Sequence, residues 1–346
     1  MKRGRFIKVI LTALPLGGIF AKKAFSFTNH NERQEEDSYE IKESSLEKVG
    51  SIPSSKPVVY MTKDISPESL LGIYKALGHN LTGKVAVKIH TGEPGNRNYL
   101  KPDLMKELVQ SVNGTLVECN VAYPGERFTA SAHKKVAADH GFTSIANIDI
   151  MDENGSITLP FARGRHLKED FVGAHFKNYD SYIILSHFKG HGMAGFGGAL
   201  KNMAIGIASA EGKMWIHTAG TTKSTANMMA MFQTKTEDFL ESIAEASGAV
   251  MDSLGDRVVY INVMNKLSVN CDCEGQAPDP TMKDIGILAS LDPVALDQAC
   301  VDLVVNASDG KDLVDRMNSR NGIHTLEYAT QLGLGSRQYE IKSLDK

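Results

Sequence analysis

Apolar runs of about five residues alternate with amphipathic stretches of about ten along most of this chain, and that regularity restricts the fold more than any other feature. Pro57–Met61, Val85–Ile89, Thr115–Cys119, Tyr182–His187, Val258–Val263 and Ile285–Ala289 have the length and composition of buried strands. Ser66-Pro67-Glu68 supplies an N-cap, a proline at the first helical position and a first-turn acid, which predicts a helix to about Leu77. Pro102–Val112 and Ala130–His140 are two further helices, and Asp292-Pro293 opens another that runs through about Val305. Apolar strands joined by helical crossovers predict an α/β fold with a mostly parallel sheet and helices on both faces. The expected domain spans residues 57–335, either undivided or as two lobes that meet near residue 255 with the site between them, and residues 336–346 form a tail.

Composition removes several functional classes. The 38 Lys and Arg against 41 Asp and Glu give a net charge of -3 with no large basic patch, which excludes a nucleic-acid partner. No window holds eighteen consecutive apolar residues, so no integral span is expected beyond the N-terminal signal. Residues 1–27 read as that signal: Lys2, Arg3, Arg5 and Lys8 precede a short apolar stretch from Val9 to Ala21. Arg3-Gly4-Arg5-Phe6 is twin-arginine-like with Gly4 in place of one arginine. The expectation is export, to the periplasm of a bacterium, with an uncleaved anchor or a general secretory signal left open. Residues 28–56, carrying seven acids between Glu32 and Glu47, read as a polar linker.

In a parallel sheet the ligand lies beyond the carboxyl ends of the strands, so the loops after them carry the functional argument. The loop after Val85–Ile89 holds His90, Glu93 and Arg97, and the loop after Thr115–Cys119 ends in Arg127. Either arginine suits a forked contact with a substrate carboxylate. The third loop places His187, Lys189 and His191 beside five glycines in nine positions, followed by Lys201 and, further on, His217. Gly195, Gly197 and Gly198 would let backbone amides approach a ligand, and a helix expected near Gly198 would favour an anion at its amino end. Gly190, Gly192 and Gly195 match a dinucleotide-type spacing, but no acid-terminated strand follows at the required distance. Cys271 and Cys273, at C-x-C spacing, suit shared metal ligation better than a bond to each other and need further ligands for a complete iron or zinc site.

The runs His187–His217 and Cys271–Cys300, with KIHTGEPGN and VECNVAYPGER, resemble the domain of unknown function family 362 over nearly the whole body. Some members of that family carry an additional ferredoxin-like iron–sulfur segment, which this chain lacks. The core is also similar to the lactate racemase family, which uses a nickel-pincer nucleotide. That resemblance rests on His191, Gly195-Phe196-Gly197-Gly198, Lys201 and His217 in the same order. It implies an acid/base role for His191, cofactor attachment at Lys201 and nickel ligation by His217, with His90 a candidate second catalytic histidine.

Three readings follow. In the first, an enzyme uses a metal or nucleotide-derived cofactor to move a proton or hydride on a small hydroxylated or carboxylated molecule, as racemases, epimerases or oxidoreductases do. Its catalytic candidates are His191, His90 and His187; Lys201, Gly195, Gly197, Gly198 and Lys189 bind the cofactor; His217, Cys271 and Cys273 hold metal; Arg97 and Arg127 bind substrate. In the second, an iron–sulfur cluster or another divalent metal at the cysteines makes a redox protein. The third is a ligand-binding module without chemistry. The oligomeric state is open.

Overall fold

The computed structural model describes residues 56–345, so the signal and nearly all of the linker lie outside the described residues. In chain order the elements are β1 (Val58–Thr62), α1 (Pro67–Ala76), β2 (Val85–Lys88), α2 (Pro102–Ser111), β3 (Thr115–Glu118), α3 (Ala130–Asp139) and β4 (Ile148–Ile150). A hairpin of β5 (Ser156–Pro160) and β6 (Glu169–Gly173) precedes β7 (Ser181–His187). The glycine-rich stretch is itself a small hairpin, β8 (Lys189–His191) and β9 (Gly195–Gly197). Then come α4 (Ala199–Ile207), α5 (Ala210–His217), α6 (Ala230–Gln233), α7 (Thr236–Leu254), β10 (Val258–Met264) and β11 (Gly286–Ser290). The chain closes with α8 (Pro293–Asn306), α9 (Lys311–Ser319), α10 (His324–Gln331) and β12 (Glu340–Ser343).

Eight strands form one sheet in the order β12-β1-β11-β10-β7-β2-β3-β4. All pairings are parallel except those of β11, which runs antiparallel to both β1 and β10. The central strand β7 is buried along its whole length, so both of its faces must be covered. Tyr182 and Ile184 pack with Leu200 and Met203 of α4, Val250 of α7 and Leu296 of α8. Ile183 and Leu185 point the other way, into a core with Leu70 and Ile73 of α1, Met105 and Leu108 of α2 and Ala137 of α3. Local chemistry starts the helices as read: the Ser66 side chain accepts from Ser69 N at 3.2 Å, and Asp292 accepts from Val294 and Ala295 N at 2.9 Å each.

Two expectations are corrected. No lobe boundary falls near residue 255: β10 follows it directly and pairs with β7 from before it, so one sheet crosses that point. Residues 340–343 are not a tail but the edge strand β12, parallel to β1. Their polar, exposed sequence hides a strand because an edge strand here buries neither face. Among the described residues no helix is long and apolar enough to cross a membrane.

The order of strands places the site. From β2 the chain steps outward to β3 and β4, then returns to β7 on the other side of β2 and continues to β10. The crossovers therefore diverge from the gap between β2 and β7, and a crevice opens above their carboxyl ends.

Candidate functional site

His90 leaves β2, Glu118 ends β3, and the β8–β9 hairpin leaves β7, so all three converge on that crevice. A cavity of about 330 Å³ lies there, lined by His90, His191 and His217, by Arg127, Lys201 and Lys213, and by Cys273. Its apolar wall is built from Val121, Ala122, Ile205, Met193, Met228 and Met231. A recess of about 30 Å³ adjoins it through His90, Lys201 and Asn202 and reaches Cys271. The chain reverses between α4 and α5 to bring His217 back. The reversal comes at Ala208–Ser209, because α4 ends at Ile207 and Ser209 caps α5 through Gly212 N at 3.1 Å. Lys213, one turn before His217, shares its face, a spacing that the sequence reading passed over.

The charges beneath the cavity are largely compensated. Glu118, which the sequence reading left unassigned, faces Lys88 at 3.3 Å and Arg127 at 3.6 Å and accepts from Thr91 N at 2.9 Å. Burial alone would raise its carboxyl; Lys88, His133, Arg127 and that amide together hold it at about 2. Burial lowers the Lys88 ammonium to about 8 against the pull of Glu118. Arg127 is 2% exposed and also grips Glu93 at 2.8 Å, with Tyr123 bridging to the same carboxylate at 2.6 Å. Lys201 and Lys213 differ: among the described residues neither has a carboxylate within ion-pair distance, and Lys213 donates only to the Ala208 carbonyl at 2.6 Å.

Hydrogen bonds assign the histidine tautomers. Nδ1 of His90 accepts from Gly92 N at 3.0 Å, and Nδ1 of His191 accepts from Met193 N at 3.2 Å and Ala194 N at 3.0 Å. A backbone amide can only donate, so in both neutral rings the hydrogen sits on Nε2. His217 is the reverse: its Nδ1 lies 2.6 Å from the Lys213 carbonyl, which can only accept, so Nε2 keeps its lone pair. Burial keeps all three rings neutral, with nearby cations adding to the effect at each, and His217 falls to about 3.

Other expected residues have different work. His187 Nδ1 meets Asp272 at 2.8 Å and its Nε2 the Asn265 carbonyl at 2.6 Å, which leaves no free nitrogen for acid/base chemistry. Lys189 pairs with Asp272 at 2.7 Å instead of offering its charge to a cofactor. Arg97 is not brought to the cavity: its side chain is 79% exposed, 3.7 Å from Asp279. Gly197 lines the recess, where a Cβ would meet only Lys201 Cδ at 3.5 Å, whereas three other glycines serve close packing within the chain. A Cβ at Gly190 would lie 2.2 Å from the Val269 carbonyl, and one at Gly195, whose φ is +80°, would press on Gly322 at 2.9 Å. At Gly198 it would meet Asp297 Oδ1 at 2.3 Å. Asp297 accepts from Ala199 N at 2.7 Å and Leu200 N at 3.0 Å, so the amino end of α4 already holds a carboxylate from α8 and is not a free anion site.

Cys271 is buried, and the loop carrying it is tied to the body through Glu93 N, which donates to the Asp272 carbonyl at 2.9 Å; it is not peripheral. Donor atoms of His191, Cys271 and Cys273 lie within 4.8 Å of one another, close enough to surround one ion. His191, not His217, thus joins the cysteines. The ring is turned unfavourably for a metal, since Nδ1 is taken by two amides and Nε2 carries hydrogen. An iron–sulfur cluster wants about four thiolates. Cys119 donates to the Ile207 carbonyl at 3.2 Å and Cys300 lies within α8, leaving two thiols here.

The architecture is an α/β sheet covered on both faces with its cavity at the carboxyl edge. Residues 85–302 match the model of the family described as Domain of unknown function (DUF362), and the chain belongs to that family. No curated protein sequence matches it. Among solved structures it is similar to the lactate racemase apoprotein from Thermoanaerobacterium thermosaccharolyticum, at 13% identity and a TM-score of 0.43 over 72% of this chain and 57% of that one. A protein from Thermotoga maritima is similar at 12% identity and a TM-score of 0.38, over 77% of this chain and 58% of that one. This chain therefore spans under two thirds of the length of either.

Proposed function

We propose that this protein is an enzyme whose cavity binds a small carboxylated molecule and moves a proton on it. The observation that carries the reading is the pair Lys201 and Lys213, cations with no carboxylate within ion-pair distance among the described residues, in a cavity whose other charged lining, Glu118 and Arg127, is mutually paired. A carboxylate entering there gains two charged partners in a site of low dielectric. His217 offers the cavity a lone pair, and the His90 tautomer makes its Nε2 a hydrogen donor. An acceptor and a donor on one ligand are the elements of general acid–base catalysis. Binding of an anion would raise the His217 imidazole and strengthen it as a base.

The cofactor implied by the resemblance to lactate racemases fits two of these residues: Lys201 has a free ammonium at the cavity, and the His217 tautomer leaves a nitrogen available to a metal. Those two would hold it in place of the roles given them above, leaving Lys213 for the carboxylate and His90 for the proton, and when bound it supplies a hydride acceptor.

A panel of small mono- and dicarboxylates and 2-hydroxy acids, screened by thermal unfolding, tests the proposal. Saturation at a hundred times Kd adds roughly 2.7 kcal/mol of stability. The expected result is a rise in Tm for one acid class, lost in Lys201→Met, and exchange of that acid's carbon-bound hydrogen with D2O followed by NMR. No shift with any acid, or an undiminished shift in Lys201→Met and Lys213→Met, would overturn it.

A further inference from the structure

We propose that Cys271 and Cys273 are a peroxide-reactive dithiol, with Cys271 the attacking sulfur and Cys273 the resolving one, rather than a metal site. Three independent features of geometry support this.

First, the sulfur of Cys271 sits among donors. The Cys273 amide donates to it at 3.3 Å, and the His191 ring, whose only hydrogen is on Nε2, brings a nitrogen within 4.8 Å of the same sulfur. A donor to sulfur favours thiolate, whereas a metal requires the lone pair that this ring lacks. Second, the turn that carries Glu274 N to the Cys271 carbonyl at 3.0 Å folds the two thiols toward each other, within 4.8 Å, so the bond that C-x-C spacing alone disfavours needs only a further closing of this loop. Third, the recess beside Cys271 measures about 30 Å³, room for a molecule the size of water or hydrogen peroxide and not for a bulky disulfide.

The surrounding charges agree. Cys271 is drawn well below the usual thiol range, first by its hydrogen bond with Cys273 and then, against burial, by His191, Lys189 and Lys201. Glu274 is the opposing charge from its own loop. Cys273 moves upward and stays a thiol, while burial raises Cys119 and Cys300.

The chemistry closes with peroxide as the only co-reactant. The Cys271 thiolate attacks one peroxide oxygen, the O–O bond breaks, and the departing hydroxide takes a proton to leave as water, giving a sulfenic acid. The Cys273 sulfur then attacks the Cys271 sulfur, its proton leaves with the hydroxyl as a second water, and the S–S bond forms. Two thiols are oxidised by two electrons and one peroxide is reduced.

The whole protein is treated with hydrogen peroxide at neutral pH, quenched in acid and mapped without reduction. The expected product links Cys271 to Cys273, two hydrogens lighter, with Cys119 and Cys300 reduced. In Cys273→Ser the expected product is a dimedone-trapped sulfenic acid at Cys271. His191→Phe is expected to slow oxidation about tenfold or more, and His191→Gln, which keeps an N–H, to restore most of the rate. Free thiols after peroxide, or wild-type protein purified with a metal ion on the two sulfurs, would overturn the proposal. The mapping uses the wild type, so its outcome does not depend on how the variants fold or on what the cavity binds.

Discussion

Replacing Asp297 is the sharpest test of how the fold holds its site. This buried carboxylate of α8 accepts from Ala199 N, Leu200 N and, at 2.7 Å, Asn262 Nδ2, and so joins α8 and β10 to the start of the helix that carries Lys201. Asp297→Ala leaves two buried backbone amides without an acceptor, at roughly 1–3 kcal/mol each, while Asn262 Nδ2 keeps Cys300 Sγ at 3.4 Å. The expected loss is about 2–6 kcal/mol, a large part of a typical domain's 5–15 kcal/mol. Asp297→Asn should cost less. With its oxygen in the Oδ1 position the asparagine still accepts from Ala199 N and Asn262 Nδ2, and only Leu200 N, which donates to the other oxygen, loses its acceptor, at roughly 1–3 kcal/mol.

The two replacements also separate in pH. Burial raises the Asp297 carboxyl to about 6 from 3.8, so between those two values the folded chain holds a proton that the unfolded chain has released. Wild-type stability from this group is present below about pH 4 and is lost as pH rises through about 6, on the order of 3 kcal/mol in all. The asparagine variant lacks that titration. Asp170, raised by burial to about 7, is common to both chains and cancels in the difference. Urea unfolding of wild type and both variants at several pH values measures all of this. A loss under about 1 kcal/mol in Asp297→Ala, or a wild-type-minus-Asn difference that stays flat across the window, would refute the reasoning.

Gly198→Ala should destabilise the protein by several kcal/mol even without ligand, because the new Cβ would lie 2.3 Å from Asp297 Oδ1; calorimetry showing an unchanged Tm would return Gly198 to a ligand-binding role. Arg127→Met leaves Glu93 and part of Glu118 uncompensated in the interior, for an expected cost of about 3–5 kcal/mol by chemical denaturation. The Glu118 carboxyl is held below its ordinary 4.5, so its contribution is complete above about pH 4.5 and vanishes as pH falls toward about 2; Glu118→Gln should remove that part of the acid-unfolding profile. Residues 1–27, fused to a reporter in a bacterium, should carry it out of the cytoplasm, and a wholly cytoplasmic reporter would reject the export reading.

Much of the frame was legible from the sequence because it follows from local periodicity. β2, β3, β7, β10 and β11 are apolar runs long enough to be buried, and α1 and α8 announce themselves by Ser66-Pro67 and Asp292-Pro293, whose capping bonds span two or three residues. Strand ends follow from those runs, and with them the loops that carry His90, Arg127 and His191. Strand order, and hence the crevice between β2 and β7, was decided by packing among segments far apart in the chain. The same holds for the glycine loop, whose composition suggested a bound anion while its neighbours are Val269, Gly322 and Asp297. Arg97 and Arg127 look alike in sequence, yet one lies in solvent and the other between two glutamates, because only the fold sets which turn faces inward. Histidine chemistry was decided last of all. Which nitrogen of His191 or His217 carries hydrogen depends on whether an amide or a carbonyl lies 2.6–3.2 Å away, and that direction is a property of the folded backbone and not of the residue.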